Sequence, residues 1–460
     1  METVLLYILG IVVVVIGIAL SIGLHEIGHL VPAKLFGVKV AQYMIGFGPT
    51  IFSRKRGETE YGVKAIPLGG YISMAGMYPP ARKGGRPRTS GTDASFLEEK
   101  YEAGGRTAST GFFQTLVQDA RTASADTIAA GDEDRVFYKL PIYKRVIIML
   151  GGPFMNLVIA VVLFAVVLSG FGVKQVTTTV ASVSQCVKPA TSTSQTCSPG
   201  DAIAPAAAAG LKKGDRVVSV DGISVSTWAQ ETATIQKRAG RTVPIIVDRN
   251  GKREELTATL ATSPRYKVDA NGAPVVNGQG KPVVEELGFL GVAPAMVSVA
   301  QPVTAAIPYV GANIAADFRV IVNLPQRLVG VAQAAFGSGP RDPNGPIGMV
   351  GVGRLAGEAA SLQSVPLADR FAQLLAIIGS LNVALFAFNL IPLLPLDGGH
   401  VAGALWEGLR RTVAKIFKRK DPGPVDIAKL VPLTFVVVLA LGAMSLLLVY
   451  ADIVKPITLQ

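Results

Sequence analysis

Four apolar runs without a charged residue stand out along the chain: Val4 to Leu24, Val146 to Gly170, Phe371 to Leu396 and Leu430 to Tyr450. About 20 such residues cross the hydrocarbon core of a bilayer as a helix. Each run therefore predicts a transmembrane span. The stretch between Gly37 and Met77 alternates differently. Short strand-like runs are broken by Gly and Pro, and Glu60–Ile66 and Tyr71–Met74 are expected to pair as a hairpin around Pro67–Gly70. Tyr78 to Asp134 is rich in Gly, Ser, Thr, Arg and Ala, which predicts a flexible loop. Between the second and third spans the pattern is that of an α+β domain. Thr177–Val183 reads as a strand. Pro205 to Gln230 reads as a short helix, a Gly turn, a β-branched strand and an Asp-Gly turn. Val243–Val247 and Glu255–Leu260 read as a hairpin around Arg249-Asn250-Gly251, and Asp269 to Lys281 as a polar excursion. Ala305 to Phe336 is apolar but carries Asp317, Arg319 and Arg327, so it predicts an amphipathic helix near the membrane and not a fifth span.

The expected organisation is a polytopic α-helical membrane protein with four transmembrane helices. Residues 1–36 hold the first span, 37–77 a membrane-associated β-hairpin region and 78–143 a cytoplasmic loop. The second span occupies 144–172, the outer domain with its linker 173–300 and the amphipathic segment 301–365. The third span is expected over 366–409, a basic loop over 410–429 and the fourth span over 430–451.

Charge gives these spans a direction. The chain has 44 Lys and Arg against 32 Asp and Glu, a net charge of +12. The basic residues cluster beside the apolar runs without interleaved aromatic residues, which argues for membrane topology and against nucleic-acid binding. Lys139, Lys144 and Arg145 precede the second span, and RRTVAKIFKRK (410–420) separates the third from the fourth. Both flanks are expected in the cytoplasm and both termini outside. The first span has Glu2 and no basic residue ahead of it, and no small-residue cleavage site follows, so it predicts a retained helix and not a signal peptide. Cys186 and Cys197 fall in the outer segment, where a disulfide between them is permitted.

The chemistry lies at the ends of two spans. His25-Glu26-Ile27-Gly28-His29 closes the first apolar run. On a helix, His-Glu-x-x-His sets two imidazoles one turn apart on one face, where both can hold one Zn²⁺, and the Glu can take a proton from water beside the metal. Catalytic zinc sites usually have three protein ligands. Asp397, beyond an apolar run interrupted by Pro392 and Pro395, is the preferred third ligand, with His400 as the alternative.

HEIGH together with NLIPLLPLDGGH resembles the site-2 protease family of intramembrane zinc metalloproteases, in particular the bacterial branch that includes the regulator-of-sigma-E protease. GFGP (46–49), PLGGYISMAGM (67–77), GGPFMN (151–156) and GPIGMVGVG (345–353) are also similar to that branch, and GLKKGDRVVSVDG (210–222) resembles the core of its extracytoplasmic PDZ domain. The resemblance implies one Zn²⁺ per chain on His25, His29 and Asp397, with Glu26 as general base. It implies that Asn389 positions the substrate, together with a hairpin edge strand carrying Tyr61, Val63 and Ala65. It implies a bacterial plasma-membrane protein with its active site towards the cytoplasmic side. The implied partners are the lipid bilayer and transmembrane substrates such as membrane-anchored anti-sigma factors or signal-peptide remnants. The chain departs from the family in reading one PDZ-like unit where that branch has two, and in placing its second proline, Pro395, one position late. An intramembrane aspartyl protease needs two membrane Asp residues, and only Asp397 lies at a span. A non-catalytic zinc-binding or PDZ scaffold protein is the remaining alternative, and Glu26 would be superfluous for it.

Overall fold

The computed structural model describes residues 2–79, 112–190, 192, 196–267, 275–277 and 282–458. These form two compact units, Met1–Leu168 with Pro302–Gln460, and Ser169–Gln301.

The first unit is helical and apolar. Helix α1 (Glu2–Leu35) has an acidic residue in its first turn and Lys34 in its last, complementing the helix dipole. The helix α2 (Phe112–Asp126) follows the sheet described below, and α3 (Ile142–Val166) continues through a π-turn to Phe171. Among the described residues five helices are long and apolar enough to cross a membrane: Glu2–Leu35, Ile142–Phe171, Val303–Val322, Leu367–Asn389 and Ile427–Val454. The chain is thus a polytopic membrane protein. The Val303–Val322 segment qualifies although it was expected only as part of an amphipathic helix.

Inside this unit α1 packs on α3 and on two helices from the C-terminal half. Val14 meets Ala356, Ala359 and Ala360 as well as Leu374 and Ile378. These small alanines allow close helix approach where lipid removes any hydrophobic drive between helices. Asn382, buried, donates to Ser21 Oγ at 2.8 Å and thereby ties the fourth of the five long helices to α1.

Two strands, β1 (Val40–Arg56) and β2 (Thr59–Met74), form a separate sheet. Both are long and bent, so each contributes two segments. Residues 42–45 pair with Gly70–Ser73 on one side and with Glu60–Val63 on the other, and Phe52–Lys55 pairs with Glu60–Val63 in turn. The expected hairpin between Glu60–Ile66 and Tyr71–Met74 is therefore not formed. Both segments belong to β2 and pair with β1, because backbone groups beside apolar surroundings need partners on both sides.

Three further expectations are corrected. The loop expected over 78–143 contains α2, tied to the sheet by Tyr78 N–H to Ser124 Oγ at 2.9 Å and by Gly76 N–H to Thr127 Oγ1 at 3.1 Å. Residues 80–111 of that loop lie outside the described residues, as do 268–274 and 278–281 of the polar excursion. The expected amphipathic helix over 305–336 is broken at Asn323. The third span ends at Asn389, and a separate helix begins at Asp397 and runs to Ile416, so the basic stretch is partly helical.

The second unit carries β3 (Val173–Val183), β4 (Arg216–Val220), β5 (Ile223–Ser224), β6 (Thr242–Arg249), β7 (Lys252–Thr259) and β10 (Val292–Val299) in one sheet. The order is β10-β3-β4-β6-β7 with β5 on β4, while β8 (Ala261–Tyr266) and β9 (Val284–Phe289) pair separately. Helices α4 (Pro205–Ala208) and α5 (Trp228–Gln236) belong to it. Asp221-Gly222 and Asn250-Gly251 each take two successive positive φ values, the geometry that closes a two-residue hairpin without splaying its strands. Cys186 and Cys197 are joined by a disulfide. The core gathers Val180, Leu211, Val217, Ile235, Ile245 and Leu260.

Glu231, on α5, is wholly buried, and neither of its carboxylate oxygens has a partner among the described residues. Burial pushes its carboxyl up to about 8. A folded-state value above the unfolded one favours the native state below the ordinary Glu range, and this advantage is lost as pH rises through about 8. Glu231→Gln should remove that decline. Denaturant unfolding of the full chain, followed by Trp228 fluorescence in a Trp406→Phe background, should show the wild type weakening over this range and the variant unchanged.

Candidate metal centre

Three atoms that could hold a metal ion converge where α1, α3 and the C-terminal half meet. His25 and His29 are one turn apart on α1. Their Nε2 atoms lie 3.2 Å apart, and each is 3.4 Å from Asp397 Oδ2. All three atoms fall within 4.8 Å of one another. Asp397 Oδ2 is buried and accepts no hydrogen bond among the described residues. Zinc bonds of about 2.0–2.2 Å in a tetrahedron put ligand atoms roughly 3.3–3.6 Å apart. The observed separations of 3.4 Å fall in that range and the 3.2 Å one just short of it, so the residues fit the ion.

The outer faces of the rings fit as well. His29 Nδ1 lies 2.7 Å from the Ile148 carbonyl, which fixes the proton on Nδ1 and leaves Nε2 facing inward. The Asn156 amide faces His25 Nδ1 at 3.1 Å, and its own Oδ1 is buried without a partner among the described residues. With that oxygen turned to Nδ1–H, both rings present a lone pair at Nε2.

The GGPFMN motif explains how α3 reaches so close. A Cβ at Gly28 would overlap the Gly151 carbonyl, and a Cβ at Gly151 would overlap that of Gly28. A Cβ at Gly152 would overlap His29 Nε2 itself. These glycines let the two backbones touch, which brings Ile148 and Asn156 within reach of the imidazoles.

The third candidate ligand, Asp397, arrives differently. Helix α9 (Leu367–Asn389) stops at Asn389, residues 390–396 run irregularly, and α10 (Asp397–Ile416) begins at Asp397. Numbered in chain order, α6 (Ala306–Val322), α7 (Leu324–Phe336) and α8 (Met349–Ser361) precede them, and α11 (Val431–Val454) ends the fold. Gly398 and Gly399 let the irregular stretch lie on the first turn of α10; a Cβ at Gly399 would stand 2.5 Å from Leu394 N. Glu407 then pins α10 to α3. It accepts from Arg145 at 2.6 and 3.0 Å, from Arg411 at 2.9 Å and from Val425 N–H at 3.0 Å. The Arg145 and Glu407 side chains are 4% and 1% exposed, and removing one partner of so buried a pair costs about 3–5 kcal/mol. Arg145 and Arg411, noticed in the sequence only for their charge, are thus structural.

The other expected site residues are placed as follows. Glu26 is buried on α1, and a Cβ at Gly70 would stand 3.0 Å from its Cγ, so the Gly70–Ser73 segment runs beside it. Asn389 is the last residue of α9. His400 is outside the candidate metal group, with a buried Nδ1 lacking a partner among the described residues. Tyr61 pairs with Tyr43 and Arg54, and Val63 with Ile45 and Phe52. Both are interior to the sheet, so neither lies on the edge strand expected of them. Ala65 is exposed. The roles of Ile148, Asn156 and Glu407 had no signal in the sequence beyond the small-residue motif that precedes Asn156.

The family model for peptidase family M50 matches residues 13–420. Across 99% of its length the chain is 34% identical to the zinc metalloprotease Rip1 of Mycobacterium tuberculosis, all of which is covered. It is 31% identical to Rip1 of Mycolicibacterium smegmatis over 98% of each chain. It is 28% identical to the metalloprotease MmpA of Caulobacter vibrioides over 88% of this chain and 86% of that one. The chain belongs to peptidase family M50, the site-2 protease family that its two motifs resemble.

Because the glycines of α3 leave the room that the ligands occupy, Gly152→Ala should abolish zinc retention. Asn156→Ala should weaken zinc affinity by about 10–100-fold, the usual cost of losing such a partner. Gly442→Ala, in open space on α11, should change neither. Metal content of the purified proteins, titrated against a chelator, decides between these outcomes.

Proposed function

We propose that this member of family M50 is an intramembrane zinc endopeptidase that cuts transmembrane segments of other membrane proteins. The observation carrying the proposal is the convergence of His25, His29 and Asp397 beside Glu26, with both His and the Glu on a helix apolar enough to span a membrane. In this reading the three residues hold one Zn²⁺. When bound, the ion polarises a carbonyl and makes water more acidic. Glu26 takes the proton of the attacking water and returns it to the leaving nitrogen. The His25 and Asp397 side chains, 13% and 18% exposed against 5% for His29, mark the side from which substrate and water enter.

A helical peptide bond is shielded by its own hydrogen bonds, so a membrane substrate must be extended before it is cut. The Gly70–Ser73 edge beside Glu26 suits that task better than Val63. Among the described residues it pairs only with 42–45, and strand addition would supply backbone partners to an unwound substrate. Asn389, where α9 gives way to the irregular stretch, is assigned to positioning the same segment. The substrates are membrane-anchored anti-sigma factors or comparable signalling proteins, or signal-peptide remnants. The Ser169–Gln301 unit is read as an extracytoplasmic PDZ-like domain that screens them.

The proposed topology has four crossings in a bacterial plasma membrane, with both termini outside and the metal centre towards the cytoplasm. The Val303–Val322 helix lies at the interface, since Asp317 and Arg319 would be costly at the bilayer centre. No described cysteine is free, so one engineered at Lys418 is a clean reporter. It should resist impermeant thiol reagents in intact cells. Ready labelling from outside would invert the arrangement.

Catalysis is tested by separating base from ligand. Glu26→Gln should lower cleavage of a reconstituted transmembrane substrate by about 10²–10⁴-fold while zinc content stays at the wild-type level. Asp397→Ala should lose both. A Glu26→Gln protein that cleaves normally would refute the mechanism.

A further inference from the structure

The α10 helix presents an apolar face that no other described part of the chain covers. Leu405, Trp406, Leu409, Val413 and Ile416 are each between 43% and 69% exposed, and Phe417 just beyond the helix is 67% exposed. At 100° per residue these positions fall within about 120° of arc, a single stripe. The opposite face carries buried Ala404, Glu407 and Ala414.

The stripe lies where two long helices begin. Glu407 is bonded to Arg145 in the first turn of α3, and Gly403 abuts Ile427 in the short turn that opens the last candidate span. An exposed apolar stripe at the level where spans begin is in the position of an interfacial helix. Its charge fits one surface. Residues 410–420 hold six basic side chains and no acidic one. Arg411 turns inward to Glu407, which leaves Arg410, Lys415, Lys418, Arg419 and Lys420. Lys418 adopts a positive φ, and Arg419 N–H bonds back to the Ala414 carbonyl at 2.7 Å. That turn folds the chain back, so that Arg410, Arg419 and Lys420 line the same groove as Trp406, Leu409 and Val413. An apolar floor with cations around it matches an acyl chain below a phosphate.

We infer that this face of α10 is a binding surface for anionic phospholipid, with acyl chains on Trp406, Leu409 and Val413 and headgroup phosphates on Arg410, Arg419 and Lys420, supported by Lys415 and Lys418. The helix that binds the lipid also begins with Asp397, so the lipid surface holds the element that carries the proposed third ligand. The inference goes beyond the catalytic reading and does not depend on it.

The chain has two tryptophans, so Trp228→Phe leaves Trp406 as the only reporter. The full chain in this background is reconstituted into vesicles of equimolar phosphatidylglycerol and phosphatidylcholine, with brominated acyl chains on one lipid or the other. Trp406 should be quenched by both, and more strongly when bromine is on phosphatidylglycerol, corresponding to about fivefold enrichment for each basic contact near an anionic surface. Replacing Arg410, Lys415, Lys418, Arg419 and Lys420 with Gln should equalise the two. High salt should do the same in the unreplaced chain, which decides the matter if the multiple variant fails to fold. Equal quenching at low salt would overturn the lipid selectivity. No quenching by either lipid would show the face covered by protein, such as a second copy, and would overturn the proposal. A preference for phosphatidylglycerol that survived both changes would overturn the assignment of these side chains.

Discussion

The backbone contact between α1 and α3 at Gly28 and Gly151 governs the membrane unit. In lipid no hydrophobic effect drives two apolar helices together, so their association rests on close packing and on hydrogen bonds between them. Glycines remove the side chains that would hold the axes apart. The Ile148 carbonyl and the Asn156 amide then reach the two imidazoles, and one helix orients the rings borne by the other. Bulk added one residue on, at Gly152, acts directly on the candidate metal centre, because a Cβ there would overlap His29 Nε2.

A second constraint shapes the other half of the site. Asp397 must meet α1 from a helix that has just crossed most of the unit, and a continuous helix would carry it past. The chain stops at Asn389, runs irregularly through two prolines and restarts at Asp397. Such backbone is tolerated at membrane depth only when it is covered by protein. Gly398 and Gly399 allow the cover, and the Arg145–Glu407 pair fixes the far end of the new helix. The same break frees α10 from the spanning role, which lets its outer face be amphipathic.

The sheet shows the same economy. Each long strand bends and is used twice, so that Tyr61 and Val63 find partners on both sides. Two edges remain, Phe52–Lys55 and Gly70–Ser73, and the second runs beside Glu26. The fold thus leaves unpaired backbone groups next to the residue proposed to act on an extended peptide.

The sequence alone determined the parts whose signal is local. Runs of apolar residues long enough to cross a bilayer, the one-turn spacing of His25 and His29, and the Asp-Gly and Asn-Gly turns each follow from a few neighbouring residues and from the periods of helix and strand. The motifs were specific enough to indicate the family. Tertiary structure decided the rest. Whether Glu60–Ile66 pairs with its chain neighbour or with β1, where the third span ends, and which carbonyl faces each imidazole all depend on atoms far apart in sequence. Ile148 and His29 are 119 residues apart, and Arg145 and Glu407 are 262 apart. Asn156 and Glu407 read in the sequence as ordinary polar residues. They acquire their roles only when packing withdraws them from water and sets Asn156 against His25 and Glu407 against Arg145, Arg411 and the Val425 N–H.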